Sequence, residues 1–464
     1  MAESNATDVL LQMDEAKVSR LHLKVLLISG MGFLTDAYDL FIIGVVMEMV
    51  KHQWDVSPVA EGLVTSTALL ASAVGAILFG RVADMIGRKP IYGLEVLVLA
   101  AGAIASALSP NIWWLIGFRV ILGVGVGGDY PVSSTIMAEF AGKRSRGMLV
   151  SLVFAMQAAG LIIGPLLAAE LIAAHVPETI IWRALLAFGA IPALAVYQMR
   201  RGLAETPRYL LAAGRHAEIA SAVGIAPSSA DAPGKNKPAS SFREGFALLT
   251  RRRDLATRLI GVSLAWFFMD FAYYGNTVSS PMVLRAIAPE QSLLWRVLLQ
   301  LAIFAIAAAP GYLVAAMFMD RMGRKSIQTL GFAVMAASFA ALALIPGVEK
   351  LVLPFVIVYG VSYFFTEFGP NATTFVYPSE VFPAEGRATG HGLAAAAGKI
   401  GGFVGVFAFP PLMRWHGLFS AELAAAIVSV LGLVTTLALL PETKQRSLEE
   451  LSGEDACGAV AEAS

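Results

Sequence analysis

Asp129 stands inside GVGVGGDYPVSSTIMAEF (residues 123–140), a stretch otherwise suited to lipid. An ionised carboxylate in hydrocarbon is costly unless a partner or a polar cavity shields it, so an acid at that depth is a candidate for binding and releasing protons. Similar intrusions recur. GMGFLTDAYDLFIIG sets Asp36 and Asp39 about one helical turn apart, on one face. Tyr130 follows Asp129, Glu139 lies a few turns on, and LVFAMQAAGLIIG carries Gln157. In AWFFMDFAYYGN, Trp266, Asp270 and Tyr274 fall at i, i+4 and i+8, one stripe of a helix. TEFGPNATT adds Glu367 and Asn371, and Lys399 brings an ammonium whose natural partners are carboxylates. Together these groups must face a shared polar interior. The same residues also admit structural roles: Trp266 and Tyr274 as packing aromatics, Gln157 in an interhelical hydrogen bond, Asp36 and Glu139 as edge charges, Asp129 and Asp270 as members of ion pairs.

Composition says what must position them. Of the 464 residues, 57% are hydrophobic and only 15% charged, against about 25% charged in a soluble domain, so the chain is expected to cross a membrane repeatedly. At roughly 20 apolar residues per crossing, spans fall near 23–49, 59–83, 91–109, 112–140, 148–174 and 180–199, then near 259–285, 293–319, 327–346, 351–379, 387–411 and 418–440. The expected architecture is an all-α membrane protein with twelve transmembrane helices in two six-helix bundles, at 23–200 and 258–441. Around them lie an N-terminus (1–22), a linker rich in Ala, Pro, Ser and Arg (201–257) and a tail (442–464). Basic residues gather after alternate helices: Arg81, Arg88 and Lys89; Lys143, Arg144 and Arg146; Arg200 through Arg258; Arg321, Arg324 and Lys325; Lys444 and Arg446. The positive-inside rule then puts these loops, the linker and both termini in the cytoplasm. Lys+Arg and Asp+Glu balance at 34 each, which gives no reason to expect nucleic acid. A single cysteine, Cys457, leaves no intrachain disulfide or cysteine-based metal site, and no metal or cofactor is expected. The polar start runs into an apolar segment too long for a cleavable signal core.

The halves repeat. GRVADMIGRKP (80–90) is matched by AAMFMDRMGRKS (315–326), with Asp84/Asp320, Gly87/Gly323, Arg88/Arg324 and Lys89/Lys325 in register. Topology rules explain the Arg and Lys but not the Asp and Gly. Two similar bundles rocking about a midplane site give alternating access. With AETPRYL after the sixth helix and PETKQRSLEE after the twelfth, these loops resemble the signatures of the major facilitator superfamily over essentially the whole chain. That resemblance implies the major facilitator fold, with Asp84, Arg88, Asp320 and Arg324 as gating residues that latch neighbouring helices. Two other motifs point elsewhere. GVGVGG satisfies G-x-G-x-x-G, but within a membrane helix small residues serve close packing rather than nucleotide binding. GLAAAAGKI departs from a P-loop in its glycine spacing and in Ile400, and neither H-E-x-x-H nor G-x-S-x-G occurs.

GGDYPVSSTIMAEF, GFLTDAYDLF, WFFMDFAYYG and FGPNATTFVYPSEVFPAEGRATGHGLAAAAGKIGG resemble the phosphate:proton symporters of the superfamily. The resemblance implies a proton-coupled secondary transporter, not an enzyme, that imports inorganic phosphate as a monomer in the inner or plasma membrane. It implies substrate contacts from Tyr130, Gln157, Trp266, Asp270, Tyr274 and Asn371. Asp36, Asp39 and Asp129 match acids of the proton path, to which Glu139 and Glu367 are added here, and Lys399 matches a lysine that balances charge near the first helix. Glu367 stands where that family carries a neutral side chain. Dihydrogen phosphate both donates and accepts hydrogen bonds, so phenols, an indole N–H and amides can hold its oxygens while a carboxyl group meets a P–OH. Asp129 is then expected to gain and lose a proton in each cycle. The alternatives are a proton-coupled carrier of a small organic acid or sugar and, less expected from so short a tail, a non-transporting nutrient sensor.

Overall fold

The computed structural model describes residues 13–15, 17–213, 215 and 241–453, so Cys457 and much of the 201–257 segment lie outside the described residues. Among these, twelve helices carry the fold: α1 (Arg20–Gln53), α2 (Pro58–Ile86), α3 (Leu94–Ala107), α4 (Ile112–Phe140), α5 (Arg146–Ala173), α6 (Glu178–Arg200), α7 (Arg253–Val278), α8 (Leu293–Met322), α9 (Arg324–Leu344), α10 (Val352–Val381), α11 (Arg387–His416) and α12 (Leu418–Leu439). Ten are long and apolar enough to cross a membrane on length and composition alone. The other two are α1, which has 34 residues, and α3, whose 14 residues are fewer than the expected 91–109 span. The described N-terminal residues, the loops after α2, α4, α8 and α10 and the segment after α12 share one end, called the terminal end below; the opposite end is the far end.

Several helices are broken where the sequence suggested continuity. α5 is interrupted at Met156 and α6 at Gly189. The expected 259–285 span is two helices, α7 ending at Val278 and a second over Ser280–Ile287, because Pro281 has no N–H to continue the ladder. α7 also begins at Arg253, inside the expected linker. In α10 a π-turn spans Glu367–Asn371, where Pro370 lacks its N–H and Gly369 leaves helical geometry (φ −99°, ψ −113°).

Burying aliphatic side chains between helices gains little over lipid, so close backbone approach and polar contacts carry the packing. α2 lies against α4 and, across the halves, against α11, while α5 lies across on α8. A Cβ at Gly80 would fall 2.5 Å from the Ala388 carbonyl, and one at Gly392 would fall 2.3 Å from the Ala76 carbonyl. The GVGVGG glycines do the same work: Gly123 and Gly127 face the Ala68 and Ser72 carbonyls at 2.2 and 1.9 Å on that measure. The motif is a helix-packing surface.

Candidate transport site

At the junction of the halves, Lys399 of α11 donates to Asp270 Oδ2 (3.0 Å) and to the Tyr274 hydroxyl (2.8 Å), both on α7. Its ammonium also lies 4.2 Å from the centre of the Tyr130 ring on α4. The Tyr130 and Tyr274 hydroxyls are 3.3 Å apart, and Gln157 Nε2 of α5 donates to Tyr130 (3.3 Å). Tyr312 of α8 donates to Gln157 Oε1 (3.2 Å), and Asn371 Nδ2 of α10 donates to Tyr312 (2.9 Å) and to Glu367 Oε2. Trp266 sits one turn from Asp270, close to Tyr130 and Phe375, with its indole N–H unbonded. All six expected substrate contacts therefore meet in one buried cluster with Lys399 and Glu367. Tyr312 belongs to it too; its PGYLVAA context holds no charge to mark it.

The acids of the first half sit apart. Asp129 accepts from Arg200 Nη2 (2.7 Å) and Ser133 (2.5 Å), and Arg200 Nη1 donates to Glu95 Oε1 (2.5 Å). The Arg200 guanidinium also covers the Tyr92 ring at 4.1 Å. In this triad α6 runs on to Arg200, which turns inward instead of standing in a loop. Gly32 of α1 makes room for it, since a Cβ there would fall 1.9 Å from Asp129 Oδ2. Asp36 is buried without a hydrogen bond, in electrostatic contact with Asp129, Arg200, Asp39 and Lys399. Lys399 therefore pairs with Asp270, not with Asp36 or Asp39; α1 presents its acids toward α4 and α6. Asp39 tucks against Gly189, where a Cβ would lie 2.0 Å from its Oδ1, and Arg119 Nη1 donates to the Asp39 backbone carbonyl (2.9 Å). Glu95 and Arg119 interrupt apolar runs, a visible signal that loop-counting passed over.

The repeated loops form two matching constructions at the terminal end. Asp84 accepts from the backbone N–H of Ala388 (3.3 Å) and Thr389 (2.7 Å) in the first turn of α11, and lies 3.2 Å from Arg88. Asp320 accepts from Gly147 (3.2 Å) and Met148 (2.8 Å) in the first turn of α5, and lies 2.9 Å from Arg324. Helix N-termini favour such anions. Arg88 also holds Glu139 (2.9 Å), as Arg324 holds Glu380 (2.6 Å). Glu139 thus belongs here, with Arg387 (3.1 Å), and not beside the central cluster. Glu205 receives the N–H groups of Arg88 and Lys89, and Glu442 those of Arg324 and Lys325. Gly87 (φ 105°) and Gly323 (φ 96°) adopt a backbone only glycine takes readily, which is why glycine repeats at both places.

Two helical halves around a buried polar site define a membrane transporter. The chain belongs to the sugar (and other) transporter family, of the major facilitator superfamily, whose model matches residues 25–454. A relative from Arabidopsis thaliana, "Probable inorganic phosphate transporter 1-6", is 35% identical over 511 residues and covers 98% of each chain. "Inorganic phosphate transporter 1-1" of Oryza sativa subsp. japonica is 33% identical, with 97% of each chain covered. Among solved structures, the proton:xylose symporter XylE bound to 6-bromo-6-deoxy-D-glucose superposes with a TM-score of 0.79 at 21% identity, over 93% of this chain and 98% of that one. It shares the fold.

Proposed function

We propose that this chain is a proton-coupled importer of inorganic phosphate, working by alternating access between units at 23–200 and 258–441. The observation behind this reading is the Lys399 ammonium held among Asp270, Tyr274 and Tyr130. An arriving dihydrogen phosphate can take over the ammonium and the phenol hydroxyls while its P–OH meets the Asp270 carboxyl, and Gln157, Trp266 and Asn371 supply further N–H donors. The phosphate-transporter names of the full-length relatives support that substrate. Asp36, between the Asp129–Arg200 pair and Lys399, is the acid best placed to carry a proton from one half to the other, with Asp39 and Glu367 flanking the route. The positive-inside rule supports a cytoplasmic terminal end in an inner or plasma membrane, with the Asp84–Arg88 and Asp320–Arg324 latches holding the exit shut on that side. A monomer suffices for this cycle. Radiolabelled phosphate uptake by purified protein in liposomes tests the substrate: uptake should be saturable and suppressed by excess unlabelled phosphate, not by sulfate or xylose. Uptake of xylose but not phosphate overturns the assignment.

A further inference from the structure

Between the central cluster and the terminal end, α7 and α11 carry buried polar atoms without partners. Trp266 Nε1, His391 Nδ1 and Arg387 Nη2 all lack a hydrogen bond, in side chains no more than 1% exposed. Trp266 hangs beside Gly398, where a Cβ would fall 2.4 Å from its Cδ1, and its ring meets His391 edge-on at 5.4 Å between centroids. His391 Nε2 lies 3.1 Å from the Phe375 carbonyl. That nitrogen must carry the hydrogen, so Nδ1 is a bare acceptor. One turn further toward the terminal end, Arg387 spends Nε on the Phe382 carbonyl (3.2 Å) and Nη1 on Glu139 (3.1 Å), leaving Nη2 free. Buried polar atoms are ordinarily paired, and three orphans along one path invite a common partner.

The geometry points to an exit subsite for a protonated tetrahedral oxyanion, with His391 as its acceptor and Trp266 and Arg387 as its donors. This rests on the phosphate reading of the central cluster. His391 lies eight residues from Lys399, roughly 12 Å along the helix, and Arg387 roughly 6 Å beyond. A dihydrogen phosphate leaving Lys399 can accept from the Trp266 indole and then from Arg387 while its P–OH donates to Nδ1. Sulfate has no such donor and leaves His391 unsatisfied. The Asp84 contacts to Ala388 and Thr389 lie in the same stretch of α11, so releasing that latch opens this subsite to the terminal end.

The test uses right-side-out and inside-out membrane vesicles with inorganic phosphate as the probe, in wild type, His391→Phe and His391→Gln. Phenylalanine fits the aromatic surroundings but accepts nothing; glutamine restores an acceptor. The expected result for His391→Phe is a KM raised at least about tenfold from the terminal face, with the far-face KM within about twofold, and recovery to within about threefold in His391→Gln. Should His391→Phe fail to fold, His391→Met takes its place. Equal changes from both faces, no change, or equal loss in the Phe and Gln variants overturns the subsite. A wild type that moves no phosphate from either face overturns the phosphate reading itself.

Discussion

Lys399 shows what sequence spacing leaves open for a single side chain. Its need for a carboxylate was legible; its choice of Asp270 over Asp36 or Asp39 was not, because the choice depends on how α11 faces α7 and α1. Removing one member of a buried pair strands the other, at about 3–5 kcal/mol, whereas removing both costs less. Lys399→Ala should therefore lower the melting temperature of the purified protein sharply. Adding Asp270→Asn should recover much of the loss, and adding Asp36→Asn should not. Equal recovery by Asp36→Asn would contradict the pairing. The same limit hides the partner of Asp129: along the chain Arg200 stands with the loop cations, and charge placement does not reveal that α6 continues and turns it inward. The stripe of Trp266, Asp270 and Tyr274 was legible for the opposite reason, since helical spacing alone puts the three on one face.

At the scale of elements, the repeat carried real geometric information. Asp and Gly recurring in register marked two loops in which a carboxylate caps a neighbouring helix and a glycine takes a positive φ, and both latches have that form. Asp84→Asn keeps an acceptor for α11 but removes a charge worth about 0.3–1 kcal/mol at a helix N-terminus, together with the Arg88 pair. Turnover should slow while phosphate affinity, measured by direct binding, stays within about threefold. An affinity that falls by orders of magnitude would place Asp84 in the binding site instead. Gly392→Leu should cost more, abolishing transport and lowering the melting temperature, because its side chain would meet the α2 backbone at Ala76. A variant with wild-type uptake would show that α2 and α11 need not touch. Helix breaks were harder to read. An apolar run has the same hydropathy whether continuous or broken; Pro281 and Pro370 mark two breaks, but no proline marks Met156.

At the scale of the whole molecule, segments far apart in sequence are tied together at the terminal end. Asp14 bridges Arg146 (3.2 Å) and Arg208 (2.7 Å), Arg208 also holds Glu449 (3.0 Å), and Arg146 donates to the Arg446 carbonyl (3.1 Å). Only the fold brings these residues together, so sequence spacing gave no hint of them. Burial alone would raise the Glu449 carboxyl, but Arg208 holds it below its ordinary value. A lowered pKa stabilises the folded state fully above the unfolded value of about 4.3, and this is lost as pH falls from there through the folded value. Glu449→Gln should therefore lower the melting temperature at pH 7, and the gap to wild type should close below about pH 4; a gap that widens in acid would rule the pairing out. The most direct test of proton coupling is the phosphate gradient held by liposomes that are acidic outside, with the membrane potential clamped at zero. A carrier of dihydrogen phosphate alone equalises that ion across the membrane, while coupling to one additional proton concentrates it about tenfold per pH unit. Wild type should hold dihydrogen phosphate above its outside concentration and lose the excess on adding a protonophore. Asp36→Asn, which removes the acid assigned to carry the proton but breaks no hydrogen bond, should bind and exchange phosphate without concentrating it. A wild-type ratio that stays at one would contradict proton-coupled import.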